Sequence, residues 1–139
     1  MDIKNINEYL YKYGLHDCVV DKIYVQKDSL VFCFKAGVYN INEKGAETTK
    51  TTSCVMCLKI EDLNTEQISM HIEISKIAKN KICEIDYEKF VSEVGKFNFE
   101  IIENYISYFG QSVLLDGYIS RNRYQIKVSE IKKIEFNFK

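Results

Sequence analysis

The sequence predicts an α+β domain: mainly an antiparallel sheet, or a partly closed barrel, of about eight strands, with a short N-terminal helix and one mid-chain helix at about 86–95. Three observations lead there. Alternation with a period of two dominates the chain, the pattern of strands with one buried face. Two stretches switch to a helical period instead. The order runs helix, strands, helix, strands, without the regular strand–helix alternation of a doubly wound parallel sheet. At 139 residues the chain is one domain, long enough to bury roughly two-thirds of its unfolded surface without disulfides or metals.

Residues 3–13, "IKNINEYLYKY", set Ile3, Ile6 and Leu10 on one stripe, with Tyr9 and Tyr13 beside it and Gly14 as a C-cap. This is the expected N-terminal helix, lying against a sheet. From Cys18 the period becomes two. "VVDKIYVQ" reads as one strand that alternates Val19, Ile23 and Val25 against Val20, Lys22 and Tyr24. After the turn "KDS", "LVFCFK" is apolar on both faces, which predicts a central strand covered on both sides. Ala36-Gly37 turns the chain into "VYNI", and the polar stretch "NEKGAETTKTT" at 42–52 reads as a loop.

"SCVMCLKI" is the next strand, and "EDLNTE" turns into "QISMHIEISKI". There Ile68, Met70, Ile72 and Ile74 are expected on a buried face, with Ser69, His71, Glu73 and Ser75 on a wet one. In "IDYEKFVSEVGK", Asp86 can cap while Tyr87, Phe90, Val91 and Val94 share a helical stripe and Gly95 ends the segment. The remaining strands are "KFNFEIIENYIS", "SVLLDGYIS", "RYQIKVS" and "KKIEFNF". Alternation slips by one near Ile101-Ile102 and around Glu130-Ile131, which predicts a bulge or bend at each.

Charge narrows the function classes. Up to Met70 there are 8 basic and 10 acidic residues; beyond it, 11 and 10. Neither half carries the basic bias that duplex binding needs, so no nucleic-acid partner is expected. The start "MDIKNINEYL" has no secretory pattern, and no apolar run approaches the ~20 residues of a membrane span. The five cysteines are an odd number in a chain without an export signal, so free thiols in a reducing cytoplasm are expected.

Cys54-Val55-Met56-Cys57 is a C-x-x-C, but it lies inside an alternating strand. Cys54, Met56, Leu58 and Ile60 share one face, and Val55, Cys57 and Lys59 the other. Three residues of strand hold the two Cα atoms ~10 Å apart, beyond the ~7 Å reach of a disulfide. A redox pair instead starts a helix, where unpaired amides stabilise the thiolate. Zinc needs about four ligands, and Cys18, Cys33, Cys83, His16 and His71 supply no second ligand pair at suitable spacing. The cysteines therefore read as small hydrophobes.

Adjacent His16 and Asp17 read as a turn rather than a dyad, because neighbouring side chains seldom aim at one point. His71 and Glu73 fall ~7 Å apart on one strand face, where a cross-strand partner could complete an acid–base site. A solvated sheet face is the preferred reading, and Glu100 with Glu103, and Glu88 with Glu93, fall where such faces are expected. "SRNRYQIK" places Arg121, Arg123 and Tyr124 at a hairpin tip able to grip an anion or an acidic partner. No glycine pattern makes a phosphate cradle. The ten tyrosines suit half-buried positions or protein-binding patches.

The stretches "LHDCVVDKI…SLVFCFKAGVYN" and "FEIIENYIS…LLDGYIS" resemble small β-rich bacterial domains of uncharacterised type and, in size and texture, immunity proteins of polymorphic toxin systems. The heavy use of Ile, Lys, Asn, Tyr and Phe agrees with an AT-rich bacterial or phage genome. The resemblance implies a non-catalytic protein-binding module that inhibits a toxin by docking on it, with another protein as partner and no cofactor. The interaction surface expected from the residues comprises His71, Glu73, Arg121, Arg123 and Tyr124; no catalytic, cofactor or metal residue is expected. The alternative is a lipocalin-like barrel with a ligand cavity lined by Tyr24, Phe32, Phe34 and Phe136. A hydrolase built on His71 ranks third.

Overall fold

The computed structural model describes residues 12–64, 66–107 and 111–139. In chain order the strands are β1 (Tyr13–Gly14), β2 (Val19–Val20), β3 (Lys22–Gln26), β4 (Ser29–Phe34), β5 (Tyr39–Ile41), β6 (Glu47–Lys50) and β7 (Cys54–Ile60). A 3₁₀ turn at Ile68–Met70 leads to β8 (Ile72–Ala78) and β9 (Lys81–Glu84). Helix α1 (Tyr87–Phe97) follows, and then β10 (Phe99–Ser107), β11 (Ser112–Ile119), β12 (Asn122–Val128) and β13 (Ile131–Phe138). The α+β class and the antiparallel pairing are as expected. The expected N-terminal helix lies almost wholly outside the described residues; Gly14, expected as its C-cap, sits in β1, paired with Tyr39.

Among the described residues three antiparallel sheets form, and they do not close into a barrel. The largest has the order β2-β10-β11-β12-β8-β9; a second runs β13-β7-β4-β3; a small third is β1-β5-β6. The difference from an eight-strand barrel comes from places where the chain changes sheets. "VVDKIYVQ" is not one strand but two. Val20 pairs with Phe99 in the six-stranded sheet, whereas Ile23 pairs with Phe32 in the four-stranded one. Asp21 is the pivot: its N–H donates to Cys33 O at 3.0 Å, and its Oδ1 accepts from Lys35 N–H at 2.9 Å. A second crossing lies at Ser129-Glu130, where Glu130 takes φ +59° between β12 and β13. Both predicted slips are real, as register shifts between Ile101 and Glu103 and between Ile131 and Lys133.

The stretch 42–52 is a hairpin rather than a loop. Asn42 Oδ1 accepts from Lys44 and Ala46 N–H at 2.9 and 3.0 Å, Gly45 takes φ +79°, and β6 returns along β5. All four β6 residues are exposed, so no apolar pattern marks the strand. Helix α1 runs past Gly95 and ends at Asn98, whose positive φ of 66° turns the chain while its N–H bonds Val94 O at 2.8 Å. Asp86 precedes the helix in extended conformation but makes no side-chain cap bond.

The inward faces of the two larger sheets meet in one core that includes Phe32, Phe34, Met56, Leu58, Leu115 and Ile126. Helix α1 touches β3 of one sheet and β8 and β11 of the other, inserting Phe90 and Val94. The Phe90 ring lies 5.4 Å from Phe99 and 5.5 Å from Tyr124. Gly117 makes room here, because a Cβ on it would meet Glu100 O at 2.0 Å and the Phe99 ring at 2.9 Å. β4 is central as expected. Its second face carries the buried Val31 and the half-buried Cys33.

Candidate functional site: the outer face of the six-stranded sheet

The turn before β8 rearranges the predicted His71–Glu73 face. Ile68–Met70 is a 3₁₀ turn, so Met70 points to solvent at 68% exposure instead of into the core. His71 lies outside the strand with its side chain only 11% exposed. Its Nδ1 is 3.3 Å from Glu130 Oε1 but makes no hydrogen bond among the described residues. It is therefore no wet-face residue, and it does not join Glu73, which projects from β8 opposite Lys127. Tyr124 is a correction too. It faces the core at 2% exposure, donates its hydroxyl to Glu93 Oε2 at 2.8 Å, and is pushed up to about 12 by burial and that carboxylate.

Arg121 sits exposed in the turn joining β11 to β12. Arg123 reaches back over the outer face of the sheet. Its Nε donates to Asp116 Oδ1 at 2.9 Å and its Nη2 to Oδ2 at 2.6 Å, the bidentate fork that guanidinium geometry favours. The Gln125 amide lies 3.5 Å from the same carboxylate. Asp116 is 7% exposed, and the Arg123 bonds hold its carboxyl below the usual range despite that burial. Arg123 is raised in turn by Asp116.

Cross-strand register builds the rest of this face. Tyr118 stands between Glu100 and Arg123, Leu114 between Tyr105 and Lys127, and Asp116 between Glu103 and Gln125. Tyr105 and Tyr118 are exposed at 53% and 42%, large for rings at the middle of a sheet. A hollow of about 560 Å³ is lined by Tyr105, Leu114, Ser112 and Lys127 among others. Toward the far edge the same face adds Glu73, Ile77, Ile82 and Glu84. Carboxylates outnumber cations: Glu73, Glu84, Glu100, Glu103 and Asp116 stand against Arg123 and Lys127.

The C-x-x-C is a strand, as its alternation predicts. Cys54 faces inward opposite Phe34 and Cys57 outward opposite Val31. Burial raises both thiols, the reverse of activation for thiolate chemistry. Cys18 is pushed up to about 11 by burial as well. His16 and Asp17 form the expected turn, with Cys18 N–H bonded to Leu15 O at 3.0 Å and Asp17 at φ +62°. Against expectation their side chains meet, Nδ1 lying 3.2 Å from Oδ2 with both half in solvent. Phe32 and Phe34 are packed in the core while Tyr24 lies on the other face of its sheet, so these rings do not line one cavity. Among the described residues, no group of three or more His, Cys, Asp or Glu gathers to hold a metal, and no helix is long and apolar enough to cross a membrane. Scans against protein-family models, curated proteins and solved structures each return no match.

Proposed function

We propose that this chain is a non-catalytic protein-binding module, an immunity-type inhibitor that docks on a toxin, and that the outer face of the six-stranded sheet is its docking surface. One observation carries the reading: a well-formed bidentate ion pair, Arg123–Asp116, sits between two exposed tyrosine rings on a broad, regular sheet. Such a face offers rigid aromatic anchors around a pre-ordered polar centre, the composition that binding hot spots favour. The excess of carboxylates fits a partner whose contact surface is basic. Of the expected surface residues, Glu73 and Arg123 belong to this face and Arg121 is exposed in the β11–β12 turn at its end; Asp116, Tyr105, Tyr118 and Leu114 replace His71 and Tyr124.

The test compares capture from the native cell by the unaltered chain and by the Tyr105→Ala/Tyr118→Ala variant. The reading expects one protein with a basic contact surface, retained in near-equal amount by the unaltered chain and lost with the variant. That protein, expressed alone in a host, slows growth, and co-expression of this chain restores it. Equal retention by both forms, or a captured protein harmless to the host, overturns the proposal.

A further inference from the structure

The six-stranded sheet ends at β9, whose far side pairs with no strand among the described residues. All four of its residues are exposed, with Ile82 at 73% the most exposed large apolar side chain described. The register against β8 fixes which main-chain groups face outward. Ile85 N–H bonds Ile74 O at 2.9 Å, so hydrogen-bonded pairs recur at Lys76–Cys83 and at Ala78–Lys81, the closing pair of the hairpin. Lys81 and Cys83 therefore spend their N–H and C=O groups on β8. Those of Ile82 and Glu84 point the other way, off the edge of the sheet.

Edges are commonly blunted by short length, by charged side chains, by proline or by a bulge; β9 is short and carries Lys81 and Glu84, but neither of the last two devices is present. The chain has no proline, and the β8–β9 ladder runs without a register shift. The geometry points to a second copy of this chain as the occupant of that edge: two molecules pair antiparallel through β9 about a two-fold axis perpendicular to the sheet. A two-fold axis pairs only residues that point to the same face, which leaves few registers. Centring on Ile82 uses one outward pair and runs the neighbouring pairing into the hairpin turn. Centring on Glu84 sets two carboxylates face to face, which is destabilising. Centring on Cys83 pairs Ile82 with the second copy's Glu84 twice, so all four outward N–H and C=O sets are satisfied. The two six-stranded sheets become one continuous sheet, with their outer faces on the same side.

This register places the two Cys83 residues opposite each other in a non-hydrogen-bonded pair. There Cα atoms approach to about 4.5 Å, inside the range a disulfide spans. Cys83 is exposed and unbridged, so it reports the register directly. The experiment measures the solution mass under reducing conditions, and then adds a mild oxidant that takes two electrons and two protons from a thiol pair. The expected mass is that of two chains, and oxidation links them covalently on a non-reducing gel. The link is lost with Cys83→Ser and kept with Cys33→Ser and Cys57→Ser. Ile82→Pro, which removes an outward N–H but no bond to β8, halves the mass; Ile82→Glu, which opposes Glu84 with a like charge, does the same without touching the backbone. A single-chain mass for the unaltered protein overturns the proposal, as does a dimer indifferent to both Ile82 variants. A dimer that depends on Ile82 but never links through Cys83 overturns the register and with it the two-fold arrangement.

Discussion

The two faces of β11 and β12 come from the same fifteen alternating positions and do opposite work. Inward, Leu115, Gly117, Tyr124 and Ile126 pack against the helix and the opposing sheet, and every one is buried. Outward, Leu114, Tyr118, Arg123 and Lys127 stay partly or largely in solvent around Asp116. What differs is the partner each side has. Tyr124 and Tyr118 show it at one register step: the buried ring spends its hydroxyl on Glu93, while the exposed ring lies beside Arg123 with its edge in water. Stability should reside on the first face and recognition on the second.

That division can be broken at its strongest point by Phe90→Ala. The ring is fully buried against Phe99 and Tyr124, and its loss should cost about 4 kcal/mol in denaturant unfolding. A cost comparable to a surface substitution would mean the helix is not part of the core. A smaller effect sharpens the comparison through pH. Burial pushes Tyr87 and Tyr124 up to about 12, above their ordinary value of 10.0. Both hydroxyls thus stay protonated in the folded chain when the unfolded chain has begun to lose its protons. Their contribution is fully present below about pH 10 and falls as pH rises from there toward 12. Tyr124→Phe should lower neutral-pH stability by about 1 kcal/mol through the lost Glu93 bond, yet flatten the alkaline decline. An unchanged decline in the variant would assign the alkaline sensitivity elsewhere. The smallest effect is expected outside: Tyr105→Ala and Tyr118→Ala should each shift stability by no more than about 0.5 kcal/mol. A large loss there would make the outer face structural rather than interactive.

The sequence made some of this legible and hid the rest for physical reasons. Strict alternation identified β7, and with it the placement of Cys54 and Cys57 on opposite faces, because a strand with one buried face must alternate. The slips at Ile101-Ile102 and Glu130-Ile131 were legible for the same reason. Alternation cannot report which sheet a strand joins, so the pivot at Asp21 looked like the middle of one strand. β6 and β9 were invisible as strands because all their residues are exposed and follow no burial pattern. His71 was misplaced because Met70 mimics an inward position, although the chain is still in a 3₁₀ turn there. The ion pair was within reach. A two-residue turn at Ser120-Arg121 sets Tyr118 opposite Arg123 and Asp116 opposite Gln125, which puts the arginine diagonal to the acid.

The pivots at Asp21 and Ser129-Glu130 also constrain how this chain can be made. Because the polypeptide leaves each large sheet and returns to it, neither sheet is a contiguous stretch of sequence. β7 waits for β13 to complete its pairing, and β2 waits for β10. During synthesis the first half emerges with strand edges that have no neighbour yet, and the ordering cost of distant closure comes before its reward. A molecule wired this way should fold late and all at once, and a ribosome stalled before β13 would hold a chain still open to proteases.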